Sequence, residues 1–178
     1  MGSQQSALEP EELAELGKIS TFSTEEINRL YRRFQFLDKE NMGRIALEEL
    51  HAIPELAVNP LAQRIHAVFD LDNRNEINFR QFVSVLSVFA KGAKREQKLN
   101  FAFRVYDVDG DGLLDTSDLT HIVKLMVGSN FSDDEIAKMV HQTILDADTL
   151  DHDGAISFAE FKRSMFNADI EAALTIQF

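Results

Sequence analysis

The sequence predicts an all-α fold of four helix–loop–helix units in two paired lobes, with a short two-strand bridge between the loops of each pair. Three observations lead there. Residues Asp107 to Asp118 read DVDGDGLLDTSD, an acidic twelve-residue loop with Gly112 at its sixth position and apolar Leu114 at its eighth. The same layout recurs at Asp38–Glu49, Asp70–Gln81 and Thr149–Glu160, and internal repetition of this kind marks a fold built from one supersecondary unit. Each loop also lies between segments whose apolar residues recur at helical spacing, ending in Phe34 and Leu37, Val68 and Phe69, Phe103 and Tyr106, and Ile144 and Leu145, and resuming at Leu47, Phe79, Leu119 and Phe158.

The loop at 107–118 carries the clearest chemistry. Asp107, Asp109, Asp111, Asp115 and Asp118 fall at positions 1, 3, 5, 9 and 12, and Leu113 at position 7 offers a backbone carbonyl. That is the spacing of an EF-hand calcium loop, in which hard oxygen donors surround a divalent ion and a glycine makes the sharp turn. Five aspartates in twelve residues repel one another unless a cation lies among them. Asp118 stands where glutamate is usual. It is one methylene shorter, which lowers the expected coordination number and admits Mg²⁺ beside Ca²⁺.

In chain order, residues 1–20 form an N-terminal segment, 21–90 the first pair, 91–98 a linker, 99–167 the second pair and 168–178 an apolar tail. Met1 to Ser6 (MGSQQS) fits the pattern for myristoylation of Gly2. One such chain binds membranes only marginally, so it needs a second anchor such as a membrane-bound partner. The first loop offers Asp38, Glu40 and Glu49 but has Met42 at position 5 and Arg44 after the glycine. The second offers Asp70 and Asp72 but has Arg74 at position 5 and Gln81 at position 12. A guanidinium opposes a divalent ion and a neutral amide removes the bidentate carboxylate, so both are expected to be structural and metal-free. The fourth loop, counted back from Glu160, sets Asp151, Asp153, the Ala155 carbonyl, Ser157 and Glu160 at positions 3, 5, 7, 9 and 12. Position 1 is Thr149, with Asp148 one residue upstream. Either Thr149 or water completes this site, or the loop bulges so that Asp148 reaches the ion. Occupancy is expected on either reading, giving one or two Ca²⁺ in the C-terminal lobe.

Position 8 is apolar in every loop: Ile45, Ile77, Leu114 and Ile156. These residues are expected to face each other across the bridges, pairing the first loop with the second and the third with the fourth. Asn75 replaces glycine in the second loop and is the next residue most tolerant of a left-handed backbone. Asn130-Phe131-Ser132 matches a glycosylation sequon, yet Ser132 followed by Glu135 reads as a helix-starting capping box. Ala90 to Lys98 is the densest basic run, read as a solvated linker and helix start or as a patch for acidic lipid or partner groups.

The net charge of −12 makes nucleic acid and anionic membrane poor partners for the bulk surface. There are no cysteines, which excludes disulfides and thiolate-bound zinc and fits a reducing cytosol. No run approaches the roughly 18 apolar residues needed to span a bilayer. The five histidines are scattered, without metalloprotease spacing, and there is no phosphate loop or nucleophile elbow, so no catalytic activity is expected.

Taken together, Met1–Ser6, IPELAVNPLAQRI (53–65), QKLNFAFRVYDVDGDG (97–112), LMVGSN (125–130) and ISFAEF (156–161) resemble the calcineurin B-like group of EF-hand proteins. TFSTEEINRLYRRF (21–34) and DIEAALTIQF (169–178) look most like the calcineurin B homologous proteins, while Asp118 is more like the calcium- and integrin-binding branch. The resemblance implies a myristoylated, cytoplasmic, partly membrane-associated calcium protein without catalysis. It would hold an amphipathic helix of a larger protein, either a phosphatase catalytic subunit or the tail of an ion exchanger. Phe82, Leu86, Phe89, Leu125, Met126 and Met139 are the candidate groove residues, since an excess of Phe and Met over core needs suits a helix-binding cleft. Leu174, Ile176 and Phe178 are candidates to fill that cleft in the absence of a partner. The alternative is a calcium-responsive myristoyl switch, sensor or buffer. Degenerate N-terminal loops favour a constitutive regulatory role, because half the molecule cannot respond to the ion.

Overall fold

The computed structural model describes residues 8–46, 48–49, 59–69, 74–90 and 92–167. Gly2, Asp70, Asp72, Leu174, Ile176 and Phe178 lie outside the described residues. The chain divides into two compact units. One contains the N-terminal helices and Phe69–Lys94. The other joins Asn59–Val68 to Arg95–Ile170, so ten residues of the first repeat pair pack with the second.

In the first unit, α1 (Pro10–Ile19) starts with proline in the first turn and a Glu9–Glu12 capping box, and buries Leu16. Its apolar residues are too sparse for helical periodicity to announce it. The proline start, acidic first turn and Lys18 in the last turn are the signals that mark it. α2 (Thr24–Leu37) begins at Ser23, whose hydroxyl accepts from the Glu26 amide while Glu26 reaches back to the Ser23 amide. The Ser23 amide, and its hydroxyl with it, donate to Glu26 Oε2 and hold that carboxyl below its usual range. Ile27, Leu30, Phe34 and Leu37 form the buried stripe. β1 (Arg44–Ala46) pairs antiparallel with β2 (Glu76–Asn78), Ile45 opposite Ile77. Between them in sequence runs α3 (Ala62–Phe69), which up to Val68 belongs to the second unit and buries Ile65, Val68 and Phe69. α4 (Phe79–Phe89) sets Phe79 and Phe82 edge-on to Phe34, with centroids 5.3 and 5.5 Å away, a favoured aromatic geometry.

In the second unit, α5 (Arg95–Tyr106) leads into the 107–118 loop, β3 (Leu113–Leu114) and α6 (Thr116–Val127). A 3₁₀ turn (Gly128–Asn130) then connects to α7 (Asp133–Ala147), followed by β4 (Ile156–Ser157) and α8 (Phe158–Ser164). β3 pairs antiparallel with β4, Leu114 opposite Ile156. Both side chains enter a core built from Leu99, Phe103, Ile136, Val140, Ile144 and Phe161. The eight α-helices among the described residues, with two strand bridges, are the all-α, twice-paired fold expected from the repeats.

The helix start at Ser132 is as expected: its amide and hydroxyl both donate to Glu135 Oε2, at 2.9 and 2.7 Å. Ser132→Ala is expected to cost about 1 kcal/mol, the usual value of an N-cap, read as a lower urea midpoint. An unchanged midpoint would assign this start to tertiary packing instead. The basic run is not one exposed patch. Lys98 is only 1% exposed, and Arg95 Nη2 donates to the carbonyls of Met165 and Phe166, closing the end of α8.

Candidate metal centres

Two trios of carboxylates among the described residues bring one oxygen each to within 4.8 Å of the others: Asp107, Asp109 and Asp118, and Asp148, Asp151 and Asp153. Local hydrogen bonding explains how the chain holds such charge in place. Asp107 directly follows α5. Its Oδ1 accepts from the Gly110 amide at 2.8 Å and its Oδ2 from the Gly112 amide at 3.1 Å. The two glycines that make those amides turn inward have φ of +78° and +88°, a region open to Gly at no steric cost. Asp109 and Asp111 each accept an amide two residues on. Asp115 caps α6 by accepting from the Ser117 and Asp118 amides.

Asp118 is 3% exposed and accepts from the Val108 and Asp115 amides at 2.9 and 3.3 Å. Burial pushes its carboxyl up from the ordinary range, and the charges of Asp115 and Asp109 add to that, although the two amides pull the other way. A buried carboxylate with like charges beside it favours a bound cation. The donor set, three aspartates in one small space with no cationic partner among them, fits a hard divalent ion. Asp111 and Asp115 are not part of the trio. Their side chains are engaged by the loop backbone, and Leu113 is half-buried in β3.

The fourth loop holds its charge differently. Asp148 follows Ala147 as the cap of α7 and is 6% exposed. Its Oδ2 accepts from the Gly154 amide at 2.8 Å, while its Oδ1 is buried with no hydrogen-bond partner. A lone buried carboxylate oxygen beside Asp151 and Asp153 is the observation that a cation would satisfy. Glu160, the position-12 glutamate, stands outside the trio and is fully buried. Its Oε1 accepts from the Thr149 and Leu150 amides, and its Oε2 from the amide and hydroxyl of Ser157. The Leu150 amide first, and the Ser157 and Thr149 donors with it, hold the Glu160 carboxyl down from 4.5 to about 2. Ser157 serves as the cap of α8, and Ala155 sits half-buried just before β4.

Because the folded carboxyl is the stronger acid, the ionised form of Glu160 stabilises the fold above about pH 4.5. That contribution is lost as pH falls towards about 2. In chelator, Glu160→Gln is expected to destabilise the protein at pH 6 and to cost progressively less as acid titrates the wild type. Denaturation midpoints across pH 6 to 2 check this, and a penalty independent of pH would remove the charge from the account.

The first loop keeps the scaffold: Asp38 accepts from the Met42 and Gly43 amides at 2.9 and 2.7 Å, and Glu49 from the Ala46 amide at 3.1 Å. Met42 at position 5 is exposed. The candidate groove residues separate into two kinds. Phe82, Leu86 and Phe89 are 0, 1 and 3% exposed. In the partner-free chain they are core of the first unit, with Phe82 packed edge-on against Phe34. Met126 and Met139 are exposed at 54 and 36%. They line an open apolar groove of about 710 Å³ between α6 and α7, with Val123 and Val127 at its floor. Leu125 is half-buried on the neighbouring face of α6.

Residues 96–166 match a family model described as an EF-hand domain pair. Over 177 residues the chain is 45% identical to the calcineurin B protein of Naegleria gruberi, covering 99% of each. It is 41% identical to the type 1 calcineurin B protein of Dictyostelium discoideum over 99% of this chain and 98% of that one. The chain belongs to the calcineurin B family. A third relative, the calcineurin B protein of Schizosaccharomyces pombe, is 40% identical over 157 residues, 88% of this chain and 90% of the other. The calcineurin B likeness therefore runs through the degenerate N-terminal loops as well as the acidic C-terminal ones. It makes the chain a calcium-binding, regulatory type of EF-hand protein. No helix among the described residues is long and apolar enough to cross a membrane.

Proposed function

We propose that this protein is the non-catalytic, calcium-binding regulatory subunit of a Ser/Thr phosphatase, and that it holds an amphipathic helix of the catalytic subunit. The observation that carries this is the full-length identity to calcineurin B proteins. It favours a phosphatase partner over an ion-exchanger tail. Calcium, when bound, neutralises and draws together the acidic ligands of loops three and four. Asp107, Asp109 and Asp118 would hold one ion and the trio at Asp148 the other. The short Asp118 makes the first of these the site where Mg²⁺ competes. The amides that orient Asp107 and the buried bridge at Leu114 and Ile156 tie the ions to the core of the second unit.

The groove at Met126 and Met139 is the surface we assign to a partner helix, because methionine adapts to varied apolar contacts. Acylation of Gly2, in a cytoplasmic protein, would add weak membrane affinity that depends on the partner for residence. Co-expression of the chain with a calcineurin catalytic subunit tests the reading. The expected result is a stoichiometric complex that survives gel filtration in Ca²⁺. Failure to co-elute, together with tight binding to an exchanger-tail peptide, would overturn it.

A further inference from the structure

We propose that the fourth loop is a thirteen-residue cation loop whose first ligand is the Asp148 carboxylate, with Thr149 and Leu150 forming one extra backbone step outside the coordination ring. This rests on the calcium-binding reading above and adds to it which residue begins the ring.

Both ends of the loop are anchored as in its neighbours. At the start, the amides of Asp38, Asp107 and Asp148 donate to Phe34, Phe103 and Ile144, each four residues back, at 2.8–2.9 Å. Each is thus the first residue past its helix. At the close, the amides of Ala46, Asp115 and Ser157 donate to the carboxylate three residues on, Glu49, Asp118 and Glu160. Between these anchors the turn glycine donates to the leading aspartate in all three. Gly43 and Gly112 do so over five residues, and Gly154 over six. The additional residue therefore lies between Asp148 and Gly154.

Its accommodation is visible in the bonds. From the start of loop three a single amide, that of Val108, reaches the closing carboxylate, whereas in loop four both Thr149 and Leu150 donate to Glu160 Oε1, at 3.0 and 2.9 Å. His152 then takes the left-handed turn that Gly110 takes in loop three, with φ of +56°. Its Nδ1 lies 2.8 Å from the Asp148 carbonyl. A carbonyl only accepts, so Nδ1 carries the proton, and the ring clamps the widened turn. That bond offsets a backbone conformation costing a non-glycine residue roughly 1–2 kcal/mol. The result leaves Asp148 Oδ1 buried and unpartnered, on a carboxylate that brings one oxygen to within 4.8 Å of oxygens of Asp151 and Asp153.

The test uses the full chain carrying Asp107→Asn, which silences loop three while keeping an acceptor for Gly112. Calcium alone is titrated calorimetrically, and the Gly154 amide resonance is followed in parallel. One ion is expected to bind. Adding Asp148→Asn, which keeps the acceptor for Gly154 and so the fold, is expected to weaken binding by at least about 30-fold, as for loss of a charged ligand. Adding Thr149→Val instead is expected to leave affinity within about 3-fold. A large loss with Thr149→Val, alone or alongside Asp148→Asn, overturns the proposal, as does an unchanged affinity in Asp148→Asn. If the Asp107→Asn chain binds nothing while the wild type binds one ion, this proposal falls and the calcium reading stands. If the wild type binds none, both fall.

Discussion

Asp107→Ala is expected to abolish the calcium response of loop three and to weaken the second unit even in chelator. The side chain has two tasks. It supplies one oxygen of the Asp107–Asp109–Asp118 trio, and it accepts the Gly110 and Gly112 amides that shape the turn. Removing it leaves two inward amides without their acceptor, a loss of about 1–3 kcal/mol in the metal-free protein. It also removes the stabilisation an ion provides, about 2.7 kcal/mol at a calcium concentration 100 times the dissociation constant. For a chain of this length that second loss alone corresponds to a Tm shift on the order of 5–10 °C. Thermal melting of both proteins in chelator and in millimolar Ca²⁺ separates the two. If calcium raised the Tm of Asp107→Ala as far as that of the wild type, loop three would not be a cation site.

The reason this loop could be read from sequence is that its geometry is local. Position within twelve residues decides which oxygens converge, and Gly110 and Gly112 are needed where the backbone turns left-handed. The bridges were legible for the same reason: Ile45 faces Ile77 and Leu114 faces Ile156 because the eighth position is set by the loop itself. What escaped was decided by packing or by closure. Counting back from Glu160 leaves Thr149 and a bulge to Asp148 both open, because only the end of α7 at Ala147 makes Asp148 the first residue past the helix. The better signal was the junction of helix and acid, Leu37–Asp38 and Tyr106–Asp107, repeated at Ala147–Asp148. Glu160 holds position 12, and its two oxygens also accept from loop and cap donors, a second role that spacing alone does not announce. Phe82, Leu86 and Phe89 belong to a helix that is apolar on more than one side. Such a pattern fits a core helix and a cleft equally until the neighbours are known. Lys98 reads as part of a charged linker and is instead buried in α5.

Those distinctions matter for where a partner can dock. Replacing both Met126 and Met139 by glutamate is expected to lower affinity for the catalytic-subunit helix by at least about 30-fold, equivalent to about 2 kcal/mol, the scale of a central interface residue. The argument is one of desolvation. Val123 and Val127 line the same groove half-buried, and its polar lining groups (Lys138, Gln142 and Asp146) are exposed. A helix laid into the groove would cover the centre and leave the rim wet, so a carboxylate at either methionine would be buried without a partner. The chain already carries a net charge of −12, and added negative charge raises the electrostatic cost further if the docking helix is acidic. Both side chains are exposed in the free protein, so the substitutions leave the core at Ile136, Val140 and Ile144 intact. Calcium titration of the double variant should match the wild type, which separates a docking defect from misfolding. Partner affinity is read by fluorescence anisotropy of a labelled helix peptide from the catalytic subunit. Full affinity in the double variant would move the docking surface off α6 and α7. In that case the partner would have to open a core such as the one at Phe82 and Leu86, and the matching experiment, Leu86→Ala, would change peptide affinity and stability together.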